Sequence, residues 1–331
     1  MMRNMKSCNR TLPMVIAATL LFILFGQANL YSQDKKTDTN KPVTDTYVSG
    51  VFLENQTCII NDPGTTEMEI SHRFGPFNSG HTLAWGIYSS ANIGVGLNHR
   101  FKSKIPVFKD IQFGIGSTST PMTMQGSLKW AALKQTTNGK IPLSITWYGA
   151  MYYDSRTTDK IIAPGHTFYE VDRLSYFTEI LISRSFCKYF NLQVAPTFSH
   201  YNLVQVANPS VQQDSTGHVP AGIPIRKNSN FGISALARVK FTSVIAFMCE
   251  FDKNFNKILV PETETLTNPK PTIAMGFEFS SSAAHSFQLF VTTASGISYQ
   301  RNMVYNQNLF ARKGSTKSGL MLGFNLTRVF Y

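Results

Sequence analysis

Histidine titrates near neutral pH, so it is the first residue type to examine for catalysis, and the chain has seven histidines. One lies in the stretch "SHYN", which places His200 and Asn202 two residues apart in a strand-like segment and so on one face. Such a pair suits a membrane-embedded hydrolase of the Ser/His/Asn type, in which histidine activates a serine. Asn202 stands where that serine should be. The hydrolase is therefore the least favoured hypothesis, and a polar role at the membrane interface is favoured for His200.

The remaining motifs indicate neither a metal nor a cofactor. The glycines of "GIGSTST" and "GVGL" lie in strand-like segments with no helix after them, unlike those of a phosphate-binding loop. Cys58, Cys187 and Cys249 have no CxxC or paired spacing, so we interpret them as small apolar fillers. A Cys58–Cys187 disulfide remains the open alternative. We expect no catalytic residues, no metal and no cofactor.

Composition restricts the class of protein. Charged residues make up 15% of the chain, against about 25% in a typical soluble domain. The net charge is +12, but the basic residues are scattered rather than clustered with aromatic residues, so no nucleic-acid partner is expected. Beyond the N-terminal leader, no stretch reaches the roughly 18 apolar residues that a membrane-spanning helix needs. A membrane protein of this composition would have to cross with strands.

The N-terminal part divides into two predicted segments. Residues 1–32 have a basic start, an apolar run and a small-residue exit, which is the plan of a secretory signal peptide. The chain then continues with "QDKKTDTNKPVTDTYV", which is polar and charged without an apolar period, so we predict a flexible lead-in over residues 33–66. Residues 67–331 form the third predicted unit, the folded domain.

Apolar and polar residues alternate with a period of two throughout that domain, which predicts about twelve strands. One face of each strand is apolar, and the opposite face is polar or charged. Long connectors alternate with short ones along the chain, with one short exception at "STST". A β-sandwich would also alternate, but the asymmetry of the connectors is typical of an outer-membrane barrel with short periplasmic turns and long outer loops.

The predicted fold is therefore all-β: a closed antiparallel transmembrane β-barrel of about twelve strands. Lipid cannot hydrogen-bond a free strand edge, so "EMEISHRF" should pair with "GLMLGFNLTRVF" to close the sheet. The alternation of the second stretch ends in aromatic residues and resembles the signal that the barrel-assembly machinery recognises. The residues predicted to form this C-terminal assembly signal are Phe324, Leu326, Phe330 and Tyr331.

Charged residues on the polar face should lie in the lumen. Two interpretations remain open: a structural network of ion pairs, or the lining of a solute passage in which charges set selectivity. Basic and acidic residues are equal in number, so no preference for anions or cations follows. The predicted lumen residues are Glu69, Arg73, Arg100, Lys129, Glu179, Arg238, Lys240, Glu250, Asp252 and Glu278.

Five stretches resemble a known family when taken in order: "MEISHRFG", "RLSYFTEILISRSF", "LQVAPTFSHYNLV", "HSFQLFVTTASG" and "GFNLTRVF". The chain resembles, from Phe52 to Phe330, an uncharacterised family of bacterial outer-membrane β-barrels, the domain of unknown function five-seven-seven-seven. The resemblance implies a barrel in the outer membrane and no particular reaction. The polar loop "NPSVQQDSTGHVPAGIPIRKNS" departs from the family pattern, so specificity carried by that loop would be particular to this chain.

These observations predict a non-enzymatic barrel of the bacterial outer membrane, exported by its signal peptide, that acts as a channel or substrate-specific pore for small solutes. The alternative is a structural or assembly barrel that docks a protein partner of a secretion or envelope machine. The expected partners are outer-membrane lipid, the barrel-assembly machinery, and either a small solute or that envelope protein.

Overall fold

Twelve long strands form the wall of a closed barrel. The computed structural model describes residues 41–44, 46–76, 92–105, 108–161, 167–204, 206–207, 223–262, 267–282, 284–294, 296–308 and 319–331. The predicted signal peptide, residues 1–32, lies outside these ranges. The wall strands are β1 (Thr66–Pro76), β2 (Asn92–His99), β3 (Ile111–Ser119), β4 (Met122–Leu133), β5 (Ser144–Asp154), β6 (Leu174–Cys187), β7 (Phe190–Tyr201), β10 (Ser229–Lys240), β11 (Ile245–Asn254), β12 (Thr272–Ser282), β13 (His285–Thr292) and β14 (Met321–Phe330).

The other elements lie in the connections. A short pair, β8 (Val206–Ala207) and β9 (Ile223–Pro224), forms a separate two-stranded sheet between β7 and β10. The helix α1 spans Tyr299–Tyr305, between β13 and β14. Among the described residues, no helix is long and apolar enough to span a membrane.

Each wall strand pairs antiparallel with its neighbours, and β1 closes the ring with β14. In this closing pair Thr66 lies opposite Phe330 and Ile70 opposite Leu326. Closure gives every strand two partners, which removes the free edges that lipid could not hydrogen-bond. The predicted twelve-stranded antiparallel barrel and the predicted pairing of its first and last strands are both confirmed.

The outer face of the wall is apolar and exposed. Ile115, Met124 and Phe231 expose 68%, 59% and 57% of their surface, whereas Gln193 and Leu236, which point inward, are fully buried. A water-facing sheet would place its polar residues on the exposed face. The reversed pattern is that of a barrel surrounded by lipid.

At one edge of the barrel, which we call the outer edge, most strand ends are joined by long connections. They comprise residues 77–91, 155–173, 202–228, 255–271 and 293–320, together with the short connection 120–121. The opposite, inner edge carries residues 100–110, 134–143, 188–189, 241–244 and 283–284. The long and short connections are segregated as the connector lengths predicted.

The lumen is occupied by the segment that precedes β1. Residues 46–61, which we call the N-terminal hairpin, run into the barrel and back, with Val51 bridged to Gln56 and Thr57 N donating to Gly50 O at 2.9 Å. Phe52 and Leu53, at the tip, are fully buried. From residue 46 onward this corrects the predicted flexible lead-in over 33–66, whose residues 33–40 lie outside the described part. The polar residues at the start of the lead-in suggested exposure to water, but the lumen supplies both polar partners and an apolar cluster that buries Phe52 and Leu53.

Candidate functional site in the barrel lumen

The predicted lumen residues all lie on the inner face of the wall or at its inner edge. Glu69 and Lys240 are half-buried, and Arg100 follows the inner end of β2, where it binds Asp110 at 2.9 Å. The others are buried on inward-facing positions of the strands: Arg73, Lys129, Glu179, Arg238, Glu250, Asp252 and Glu278. Whether they line a solute passage stays a prediction.

The strongest contact between the wall and the N-terminal hairpin is a buried ion pair. Arg73 on β1 donates from Nε to Glu54 Oε1 at 2.9 Å and from Nη2 to Glu54 Oε2 at 3.0 Å. The same guanidinium donates to Leu53 O at 3.0 Å and to Asn325 Oδ1 at 3.0 Å. Both charged side chains are at most 2% exposed, so each depends on the other for compensation.

Other charged wall residues also hold the hairpin. Lys129 Nζ donates to the carbonyl oxygens of Gly50 and Ile59 at 3.0 and 3.3 Å. Glu67 accepts from Ser49 Oγ at 3.0 Å and from Gly50 N at 3.1 Å. The lumen charges therefore bind the polypeptide backbone of the hairpin.

Two acidic residues of β11 receive the tip of the hairpin. Glu250 Oε2 accepts from Glu54 N at 2.9 Å, and Asp252 Oδ1 accepts from Asn55 Nδ2 at 3.4 Å. Ser234 of β10 is a closer partner of the same Asn55 amide, at 2.7 Å.

One ion pair lies within the wall itself. Arg238 Nη2 lies 2.6 Å from Glu278 Oε2, so this pair links strands β10 and β12 across β11. The lumen charges thus include both wall cross-links and contacts with the hairpin.

Amide side chains on the inner face also hold the hairpin, although the predicted set of lumen residues contained only charged ones. Gln193 donates to Gln56 O at 2.8 Å and accepts from Cys58 N at 2.8 Å. Asn325 donates to Phe52 O at 2.9 Å, and Gln288 donates to Val51 O at 3.0 Å. They occupy the same lumen-facing alternate positions of the strands as the charged residues, which is the signal that could have identified them. An amide carries both a donor and an acceptor, so it is suited to pairing with a peptide backbone.

The connection between β13 and β14 fills the lumen from the outer edge. In α1, Gln300 Nε2 donates to Ser175 Oγ at 2.8 Å, and Met303 and Val304 are buried. The hydroxyl of Tyr299 accepts a hydrogen bond from Gln56 Nε2 at 2.7 Å. The hairpin and α1 therefore meet inside the barrel.

Some buried polar groups in the lumen have no hydrogen-bond partner among the described residues. They include both carboxylate oxygens of Glu179. An unpaired buried group costs free energy.

A cavity of about 40 Å³ remains between the hairpin, the outer connection and the wall. Gly94, Gly96 and Gly116 form part of its wall side, and Gln56 and Tyr299 also line it. Glu69 contributes the charged group of this lining.

The histidine that could serve a hydrolase has a serine neighbour that sequence reasoning did not find. His200 Nδ1 lies 2.9 Å from Ser229 Oγ, on the adjacent strand β10. The amide of Asn202 donates to Val171 O at 2.6 Å. A similar cross-strand pair occurs at the inner edge, where His99 Nδ1 lies 2.8 Å from Thr66 Oγ1. Recurrence at both edges favours an interfacial structural role for these pairs.

The cysteines are separate in this structure. Cys58 is buried in the hairpin, whereas Cys187 and Cys249 are exposed, and all three are free. The Cys58–Cys187 disulfide considered above is therefore not formed. Within the described ranges, no group of three or more His, Cys, Asp and Glu side chains could hold a metal ion.

The residues of the predicted assembly signal belong to the closing strand or follow it directly. Phe324 and Leu326 are half-buried on the lipid-facing side of β14, and Phe330, which is 42% exposed, ends that strand. Tyr331 follows it and is 80% exposed. Their recognition by the assembly machinery stays a prediction.

A closed barrel with an apolar outer face and a polar, filled lumen defines a membrane-spanning β-barrel. Residues 47–330 match the model of the family described as "Membrane bound beta barrel domain (DUF5777)". The chain belongs to this family, as the five sequence stretches indicated. The match includes most of the N-terminal hairpin.

Solved structures offer distant likenesses. The NanC porin structure shares 9% identity at a TM-score of 0.43, covering 80% of this chain and 98% of that chain. An outer membrane channel from Pseudomonas putida F1 shares 10% identity at a TM-score of 0.46, covering 82% and 97%. The CymD monoaromatic hydrocarbon channel shares 9% identity at a TM-score of 0.39, covering 82% and 90%. No curated protein matches the chain. Likenesses this weak say nothing about what binds to or passes through this chain.

Proposed function

We propose that this chain is a non-enzymatic channel of the bacterial outer membrane for small solutes, and that its N-terminal hairpin is a movable plug. The observation that carries the proposal is the chemistry of the plug. Lumen side chains hold it by polar contacts to its backbone, such as Lys129 to Gly50 O and Asn325 to Phe52 O. Water can replace such contacts when the hairpin withdraws, and the opposing cost is the loss of apolar packing of Phe52 and Leu53 in the buried cluster that also contains Phe177.

The energetics of these contacts favour a movable plug rather than a permanent core. A typical intramolecular hydrogen bond stabilises by about 0.5–1.5 kcal/mol net, because water bonds replace it when it breaks. The carboxylate oxygens of Glu179, which have no partner among the described residues, would gain water partners in an open lumen. The difference in free energy between the filled and the open lumen is therefore smaller than the number of contacts suggests.

The position of the hairpin in the chain also suits a plug. It precedes β1 and forms no part of the wall, so its removal leaves the twelve-stranded ring unbroken. Residues 41–43 run beside the β4–β5 connection at the inner edge, with Val43 N donating to Gln135 O at 2.8 Å. The plug would therefore withdraw through the inner edge, which we assign to the periplasm because it carries the short connections.

The location and the assembly partner belong to the same proposal. Bacterial single-chain transmembrane barrels with an even number of strands are proteins of the outer membrane. We assign the chain to that membrane, with lipid around its apolar face and the barrel-assembly machinery as the partner that inserts it.

A structural or assembly barrel is the second candidate. It is favoured by the meeting of the hairpin and α1, which fill the lumen from opposite edges. In that case the lumen would stay filled, and an envelope protein would dock on one edge of the barrel.

Single-channel recording in planar bilayers distinguishes the two candidates. We expect brief openings of the whole chain, and larger steady conductance from a variant lacking residues 46–61 or lacking both these residues and α1. Heat-dependent migration on gels would first establish that each variant is folded. Absence of conductance steps from folded forms of both deletion variants would contradict the channel.

A disulfide lock tests whether the hairpin moves. Ser183 on β6 lies beside the Cys58 thiol, so Ser183→Cys, in a chain with Cys187→Ser and Cys249→Ser, should allow a bond between the hairpin and the wall. We expect oxidation to abolish openings and a reductant to restore them. The control adds Cys58→Ser and should not respond to oxidation. Openings that persist in a chain with a verified bond between Cys58 and the introduced cysteine would exclude movement of the hairpin.

A further inference from the structure

Three glycines lie along the inner surface of β2 and β3, and space remains beside one of them. Gly94, Gly96 and Gly116 line the cavity of about 40 Å³. Two of them are crowded: a β-carbon built on Gly94 would lie 2.9 Å from Ile297 Cγ2, and one built on Gly116 would lie 3.1 Å from Val95 O. Beside Gly96, by contrast, the nearest atom to a built β-carbon is Glu69 Oε2, at the ordinary contact distance of 3.5 Å. The β2–β3 wall therefore borders a real cavity.

A carboxylate faces this cavity among neutral polar groups. Within the described part of the chain, Ser71 Oγ is the side-chain donor to Glu69, at 2.8 Å to Oε1. Donor and acceptor groups complete the lining: Gln56, Asn98, Gln125, Ser127, Tyr148 and Tyr299. Carboxylate, amide and hydroxyl oxygens are ligands of hard cations and acceptors for ammonium groups.

The cationic side chains nearest to Glu69 are engaged elsewhere. Arg73 forms the bidentate pair with Glu54, and Lys129 donates to two backbone carbonyls of the hairpin. Glu67, the neighbouring carboxylate on the same face of β1, accepts from Ser49 and Gly50. Glu69 is thus the wall carboxylate available to a ligand in the cavity.

The size of the cavity restricts the ligand. A single water needs about 10–15 Å³ on this measure, so about 40 Å³ has room for two or three water-sized particles. An ammonium ion, or an alkali-metal ion with part of its hydration shell, fits this space. A sugar or an aromatic solute does not.

The cavity borders the N-terminal hairpin, which is the proposed plug. Gln56 of the hairpin and Tyr299 of α1 form a hydrogen bond with each other, and both residues line the cavity. A ligand here touches both segments that fill the lumen. Because the cavity exists in the filled state, a ligand that binds it must stabilise that state.

We infer that this cavity is a binding site for a small monovalent cation, held by Glu69, and that occupancy keeps the N-terminal hairpin in the lumen. The inference rests on the proposed function in taking the hairpin as a plug. It adds a ligand class and a regulatory effect to that plug.

The labelling rate of Cys58 by a maleimide measures how often the hairpin leaves the lumen. A chain with Cys8, Cys187 and Cys249 replaced by serine retains Cys58 as its reactive thiol. Purified barrel is labelled in ammonium chloride or in N-methyl-D-glucammonium chloride, whose cation is too large for the cavity, at equal ionic strength. We expect labelling to slow severalfold as ammonium replaces the larger cation.

Matched variants test the site. Glu69→Gln should abolish the ammonium effect, whereas Glu262→Gln, in an exposed outer connection, should retain it. Gly96→Leu should fill the cavity and abolish the effect. Gly126→Leu lies on the outward face of β4, where no atom lies within 4 Å of a built β-carbon, and should retain it. Migration on gels before and after heating establishes that each variant is folded.

The outcomes separate the cation site from the plug. Labelling that proceeds at the same rate in both salts overturns the cation site and leaves the channel standing. Labelling of Cys58 that never exceeds the background of a Cys58→Ser chain, even with Glu54→Ala, overturns the movable plug as well. An ammonium effect that persists in Glu69→Gln and Gly96→Leu overturns this site, because the cation then acts elsewhere.

Discussion

Gln56, in the segment that precedes β1, donates a hydrogen bond of 2.7 Å to the hydroxyl of Tyr299, in the connection before β14. The two residues are separated by 243 positions in the sequence and reach each other from opposite edges of the barrel. Their contact joins the N-terminal hairpin to the outer connection in the middle of the lumen. The predictions below follow from this arrangement and from the contacts that surround it.

Glu54→Ala should favour the open lumen. The change leaves Arg73 buried without its carboxylate while the hairpin is in place, and removing one partner of a buried ion pair costs roughly 3–5 kcal/mol. Because Arg73 can be hydrated when the hairpin leaves, the open fraction should rise by about a hundredfold or more. Open probability in planar bilayers measures this, with Glu262→Gln as the control at an exposed position. An unchanged open probability would contradict the role of this pair.

Tyr299→Phe and Gln56→Ala should each raise the open probability modestly. Each removes one hydrogen bond worth about 1 kcal/mol, which corresponds to about a fivefold change in an equilibrium. Because both remove the same bond, the double variant should differ little from the single variants. Fully additive effects in this double-mutant cycle would show that the two residues act independently.

Cys58 should react slowly with a maleimide in the unaltered lumen and faster when the hairpin is released. The thiol is buried, and the carbonyl of Cys58 accepts from Thr146 Oγ1 at 2.6 Å, which fixes this part of the hairpin to β5. Glu54→Ala should increase its labelling rate in parallel with the open probability. The exposed Cys187, measured alone in a matched chain, should react at the same rate in both backgrounds.

Removal of Phe330 and Tyr331 should reduce membrane assembly before it alters any conductance. Phe330 lies opposite Thr66 in the pair that closes the barrel, and both aromatic side chains are exposed. The yield of heat-modifiable barrel in the outer membrane measures assembly. Insertion of the truncated chain at full yield would contradict the prediction of an assembly signal at the C-terminus.

Replacing His200 should not change the rate at which the protein releases fatty acid from phospholipid vesicles. The nearby Ser229 gives His200 a hydrogen-bond partner, but the amide of Asn202 binds Val171 O and does not orient the ring. The rate of release should be equal in the unaltered chain, His200→Ala and Ser229→Ala. A rate that falls in both variants would establish a hydrolase.

The sequence by itself was sufficient to predict the wall. In a strand, successive side chains point to opposite faces, so the alternation around Ile115 and Met124 is a local property that can be read without coordinates. The same alternation predicted about twelve strands, and the long and short connectors indicated a barrel rather than a sandwich. The absence of hydrogen-bond partners in lipid then predicted closure of β1 on β14. The inward position of residues such as Arg73 follows from the same parity.

The contents of the lumen were decided by tertiary structure alone. Residues 46–61 mix polar side chains with apolar ones such as Phe52 and Leu53, and no periodicity in them indicates that they enter a barrel. Their partners exist only after closure, because the ring brings Gln193, Asn325 and Gln288 from different strands around one space. Whether Glu54 contacts water or Arg73 therefore depends on the inner face of the closed barrel, which cannot be inferred from any short stretch of sequence. Local alternation determines the wall of this protein, and contacts distant in sequence determine what fills it.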